Sequence, residues 1–228
     1  MELITYQLQL HDSSEWRYQV DIHRPKDARQ FNGQAHPEWA RLGYCQCSNC
    51  PLDPAEVEYC PAAIDSADIA QHFANTPSIE RADVWVHTRE RSYFKNSDMQ
   101  NILRSLFGLI MASGSCPILS RLQPLAEFHL PFASLEETVH RMAGTYLIRQ
   151  YLKQREGIAA ADWEMHGLQE LYRELKTVNV ALMKRLRQAS KEDANINAMQ
   201  TFVSISSIVE MGIEDIVAKL LVTLREGM

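Results

Sequence analysis

The sequence predicts an α+β chain: a small N-terminal antiparallel sheet with a cysteine-rich metal loop, followed by a mostly antiparallel helical bundle. Three observations predict it. Apolar residues alternate over residues 3–10 and 16–22, they recur with helical spacing from residue 97 onward, and Cys45, Cys47, Cys50 and Cys60 crowd into sixteen residues between them. Period two marks half-buried strands and period 3.6 marks amphipathic helices. Clustered thiols bring several soft donors within reach of one centre, and such donor sets select zinc, copper(I) or iron–sulfur.

The elements follow in order. Ile4, Tyr6, Leu8 and Leu10 share one face of a first strand, and Trp16, Tyr18, Val20 and Ile22 share one face of a second. The polar run His11-Asp12-Ser13-Ser14-Glu15 between them makes the pair a hairpin. A lone hairpin is marginally stable and wants a third strand. The β-branched and aromatic run Ala82–Thr88 supplies it. Between hairpin and third strand, Pro37 and Gly43 bracket a short helix ahead of the cysteine loop. A helix from Pro61 to Asn75 follows, with Ile64, Ile69 and Phe73 inward.

After residue 97 only helices are expected. They run over Ser97–Ser113, Pro117 to about Phe128, a capped helix to about Arg155, one to about Ser190, and a last from about Asp193 to Leu224. Ser134-Leu135-Glu136-Glu137 is a capping box, and Asp162 is placed to cap the next helix. In that helix Leu168, Leu171, Leu175, Val178 and Leu182 follow 3-4-3-4 spacing, which suits helix packing. Val203, Val209, Ile213, Ile216, Val217 and Leu220 make the last helix its packing partner. The 228 residues divide as 1–95 and 96–228, or fold as one compact domain.

Composition narrows the function. A net charge of −6 disfavours nucleic acid and anionic membrane as main partners. Lys184-Arg185-Leu186-Arg187 reads as a solvated basic helix face. The N-terminus lacks a signal-peptide pattern, and Leu106–Ala112 is far short of the roughly 18 apolar residues of a membrane span. The chain therefore reads as cytoplasmic, where thiols stay reduced. Five cysteines, an odd number, also fit disulfides poorly.

Cys47-Ser48-Asn49-Cys50 is a zinc-knuckle pattern, and Cys60 follows ten residues later. The fourth ligand is read as Cys116. Like Cys60 it precedes a proline at an expected helix start, where a thiolate is favoured. Cys45 is the alternative fourth ligand, because Cys45-x-Cys47 presents alternate side chains awkwardly to one tetrahedral ion. His129 is a candidate second-sphere partner, and equally a candidate base for Cys116. The first functional reading is a zinc-binding accessory or regulatory protein acting through a protein partner or homodimer. An iron–sulfur redox or sensor protein on the same cysteines is the second, and a thiol enzyme centred on Cys116 the third. Glu137-x-x-His140 lacks the second such pair a di-iron carboxylate bundle needs. No Gly-rich phosphate loop, dinucleotide fingerprint or serine nucleophile elbow occurs.

Overall fold

Alternation does set the sheet. The computed structural model describes residues 3–11 and 13–225, with side chains described as far as residue 211. β1 (Leu3–Gln9) and β2 (Glu15–Asp21) pair antiparallel with Tyr6 opposite Tyr18 and Leu8 opposite Trp16. β3 (Arg81–His87) pairs with the other edge of β1, setting Val84 against Leu8 and Val86 against Tyr6. Ile4, Tyr6, Leu8, Val84 and Val86 thus form one buried row across two strands.

A fourth strand, β4 (Ser92–Asp98), pairs with β3 and gives the order β2-β1-β3-β4. Sequence reading ended the strands at β3, because Ser92–Asp98 buries only Ser97 and so shows no apolar alternation. β4 is an edge strand held by its turn and by a cross-strand Trp85–Phe94 ring pair 5.0 Å apart on the outer face. Its exposed Lys95 suits an unpaired edge.

Helices cover the inner face. α1 (Pro61–His72) starts with proline at its first position, and α2 (Met99–Ala112) is capped by the Asp98 carboxylate accepting the Asn101 N–H at 3.0 Å. Ile102, Leu103, Leu106, Phe107, Leu109 and Ile110 leave α2 buried nearly all round, as befits the central helix of the chain. The expected helix over 117–128 is shorter and broken into a 3₁₀ turn, Leu119–Leu122, and α3 (Gln123–Glu127).

α4 (Leu135–Arg155) carries both bonds of its capping box: Glu137 N–H to Ser134 Oγ at 3.1 Å and Ser134 N–H to Glu137 Oε2 at 2.8 Å. α5 (His166–Ala189) begins four residues after Asp162, whose carboxylate still accepts the N–H groups of His166 and Gly167. All five residues of the 3-4 seam on α5 are buried. α6 (Ala194–Arg225) packs along α5, α2 and α4, while α1 packs on α5. Val209 is buried there; the side chains of Ile213, Ile216, Val217 and Leu220 lie outside the described residues, as does Asp12 of the hairpin turn. Ser204 and Ser207 back-bond to the carbonyls of Gln200 and Val203 at 3.0 Å each, which silences their polarity in mid-helix.

One cluster of buried side chains runs from Ile4 in β1 to Val209 in α6. Among the described residues no helix is long and apolar enough to cross a membrane.

The turn after α2 shows how tightly the halves meet. Arg24 reaches in to bond Asp65 at 2.7 Å, the Ile110 carbonyl at 2.6 Å and the Ser113 carbonyl at 3.1 Å. A Cβ on Gly114 would overlap Asp65 Oδ2 and stand 3.0 Å from Arg24 Nη2. Gly114→Ala therefore splits this largely buried pair and should cost about 2–4 kcal/mol. Urea unfolding checks it; a loss under about 0.5 kcal/mol would mean the pair simply slides aside.

Candidate metal centre

The cysteine loop is a closed excursion. Arg41 and Tyr59 bridge antiparallel, with Leu42 N–H on the Glu58 carbonyl at 2.9 Å and Cys60 N–H on the Ala40 carbonyl at 2.8 Å. That bridge explains why the helix expected over 36–43 is only a 3₁₀ turn, Glu38–Ala40: Arg41 must become extended to pair with Tyr59.

Within the loop, Cys50 N–H bonds the Cys47 carbonyl at 3.0 Å and closes the knuckle as a tight turn. Asn49 at its tip donates to the Glu174 carbonyl at 3.1 Å and pins the knuckle onto α5. Cys60 is the cap residue of α1, where the nearby main-chain N–H groups of Ala62 and Ala63 favour its thiolate, though its sulfur makes no cap hydrogen bond. Cys116 lies three residues ahead of the Leu119–Leu122 turn, where the nearby N–H groups of Leu119 and Ile118 favour its thiolate. Both remote cysteines thus sit near main-chain N–H groups whose field favours negative charge on sulfur.

Cys47, Cys50, Cys60 and Cys116 line one small cavity of about 20 Å³, walled by Val178, Leu182 and Arg185 of α5. Burial first, then the three neighbouring sulfurs, push the Cys47 thiol up to about 12. Burial likewise pushes Cys116 up to about 11 and raises Cys60. The Arg185 guanidinium opposes the rise at Cys47 and Cys60. As placed among the described residues, no three His, Cys, Asp or Glu side chains are drawn in to ion-holding distance. The four thiols share one cavity.

Arg185 was legible only as part of a basic stretch, and the solvated reading of that stretch holds for Lys184 and Arg187 alone. Arg185 itself is 1% exposed. Its Nη1 donates to the carbonyls of Trp39 at 2.8 Å and Arg41 at 2.7 Å, and its Nη2 to that of Leu42 at 2.9 Å. Nε is buried without a partner, and among the described residues no carboxylate pairs with it. One signal did point to it: continuing the 3-4 seam of α5 from Leu175, Val178 and Leu182 lands on position 185.

The other two candidates lie elsewhere. Cys45 is exposed and does not line the cavity. It sits at φ +49°, in the left-handed region that costs a side-chain-bearing residue about 1–2 kcal/mol. Cys45→Gly should thus gain about 0.5–1 kcal/mol in urea unfolding; a loss of stability would mean that the left-handed turn carries no strain.

His129 does not join the cysteines. Its Nε2 is 2.8 Å from the Tyr6 hydroxyl, which is 2.6 Å from Ser105 Oγ, and it lines a different, larger cavity. Burial and the nearby Arg141 push it down to about 3, so it is neutral. Cys116 and His129 therefore face separate cavities.

No curated protein and no solved structure is significantly similar to this chain. A family model does match, over residues 4–224, and it spans the sheet, the cysteine loop and all six helices. The chain belongs to that family, described as a domain of unknown function (DUF6901).

Proposed function

We propose that Cys47, Cys50, Cys60 and Cys116 together bind one zinc ion, and that the chain is a cytoplasmic accessory or regulatory protein acting through protein contacts. The observation that carries the reading is Arg185, a buried cation set against four thiols with no carboxylate to balance it. Four thiols binding one divalent cation release four protons and leave a centre of net charge −2. A buried guanidinium, with the main-chain N–H groups near Cys60 and Cys116, supplies the positive field such a centre needs. A buried guanidinium with carbonyl partners but no counter-charge is costly to retain beside four neutral thiols.

The cavity supports one ion over a cluster. Its 20 Å³ accommodates about one water-sized sphere. An iron–sulfur cluster would need the loop to open. Three ligands come from the region 1–95 and the fourth from the region 96–228, so the ion clamps the sheet and its loop to the antiparallel bundle formed by α4, α5 and α6. The chain is large enough to fold around a core without metal, which makes the ion a fastener of the loop. Ile148, Tyr151 and Leu152 form an exposed apolar row on α4 that supports a protein-contact role.

Thiol alkylation under native conditions tests the reading. Cys45 should label at once, and Cys47, Cys50, Cys60 and Cys116 only after a chelator is added. Identical labelling with and without chelator would show that burial alone protects the thiols.

A further inference from the structure

A second cavity is separate from the cysteine centre and has no part in the function proposed above. It measures about 140 Å³ and lies between α2, the segment 119–133, α4, α5 and α6. Most of its wall is apolar, with Met111, Leu125, Met142, Leu175 and Phe202 among the lining residues. An apolar cavity of about 150 Å³ holds a single benzene-sized ring.

Two guanidiniums interrupt that wall. Arg104 of α2 gives Nη2 to the Ala133 carbonyl at 3.4 Å, and Arg141 of α4 gives Nη2 to the carbonyls of Leu125 and Phe128 at 2.8 and 2.5 Å. Among the described residues neither has a carboxylate within ion-pair distance. A guanidinium has five donors in a planar fork, so both keep N–H groups for a ligand or water. His129 beside them is neutral and adds no charge.

A third feature is independent of the arginines. Asn179 of α5 lines the same cavity, is 4% exposed, and gives its amide N–H to Ser206 Oγ at 3.2 Å. Its Oδ1 is buried with no partner. An orphaned buried acceptor is destabilising and is relieved by a donor placed against it.

We infer that this cavity binds a small carboxylate with a compact apolar body and one hydroxyl, of the size of a hydroxybenzoate. The carboxylate meets the fork of Arg104 and Arg141, the apolar body fills the wall, and the hydroxyl donates to Asn179. Carboxylate fits the planar fork bidentately, and a half-buried pair of cations selects an anion over its neutral isostere.

Titration calorimetry on the full chain tests it with three probes: 4-hydroxybenzoate, benzoate and benzyl alcohol. The hydroxybenzoate should bind tightest, benzoate several-fold weaker, and benzyl alcohol at least tenfold weaker than benzoate. Arg104→Gln should weaken both carboxylates about tenfold or more and leave benzyl alcohol unchanged. Asn179→Leu should abolish the preference for the hydroxyl. Arg141→Gln should act like Arg104→Gln, and if it fails to fold, because Arg141 also holds two carbonyls, Arg104→Gln decides alone. Absence of carboxylate binding at millimolar concentration overturns the inference. So does equal affinity for benzoate and benzyl alcohol, or an Arg104→Gln variant that binds carboxylates as the parent does. Metal content should be the same in every variant.

Discussion

Replacing Cys60 with serine should drop bound zinc from about one per chain to well below half, and cost at least about 3 kcal/mol of stability. The substitution is well suited to isolate the ligand. Cys60 caps α1, and serine is among the best cap residues, so the helix start is preserved or improved. The Cys60 N–H to the Ala40 carbonyl is main-chain and survives. What is lost is the sulfur that lines the cavity beside Cys47 and Arg185. Structural zinc contributes about 10–16 kcal/mol in small zinc-dependent folds, and losing one of four ligands removes a substantial share. For a chain of this size 3 kcal/mol is about a 6–12 °C fall in Tm. Metal analysis and thermal unfolding read both; an unchanged stoichiometry would remove Cys60 from the ligand set.

Arg185→Leu should be comparably damaging, by about 3–5 kcal/mol, and should weaken zinc binding at least tenfold. Three main-chain carbonyls, of Trp39, Arg41 and Leu42, lose their donor at once, and each buried unpaired group costs about 1–3 kcal/mol. The anionic centre also loses its counter-charge. Arg185→Lys restores the charge but cannot fork across three carbonyls, so it should recover zinc affinity more than stability. Denaturant unfolding with parallel metal titration separates the two effects. A stabilised Arg185→Leu variant with unaltered metal affinity would mean the guanidinium is an uncompensated charge and the thiols do not hold an anionic centre.

Much of the fold was legible because local signals agreed with tertiary ones. The Ser134 capping box, the hairpin of β1 and β2 and the α5 seam each combine periodicity with a boundary residue whose bond is present. β4 was not legible: an edge strand buries little, and its turn and its Trp85–Phe94 pair carry no periodic signature. The short helix before the cysteine loop was overwritten by a long-range bridge from Arg41 to Tyr59 that no local pattern encodes.

The proline after Cys60 and Cys116 suggested grouping Cys116 with the loop cysteines, and all four line one cavity. The placement of His129 was not, because its partner Tyr6 is 123 residues away. Arg185 was hidden by its neighbours, since Lys184 and Arg187 are exposed and the stretch averages to a surface. The cavity near Arg104, Arg141 and Asn179 draws on five separate segments, and no motif joins them.

Elemental analysis with a UV–visible spectrum, on protein purified anaerobically without added metal, tests the metal centre most directly. About one zinc per chain with no visible absorption is the predicted result. Iron with acid-labile sulfide and a brown colour would contradict the single-ion centre and make the chain a cluster protein. Protein free of both, with five titratable thiols, would contradict metal binding at these cysteines altogether.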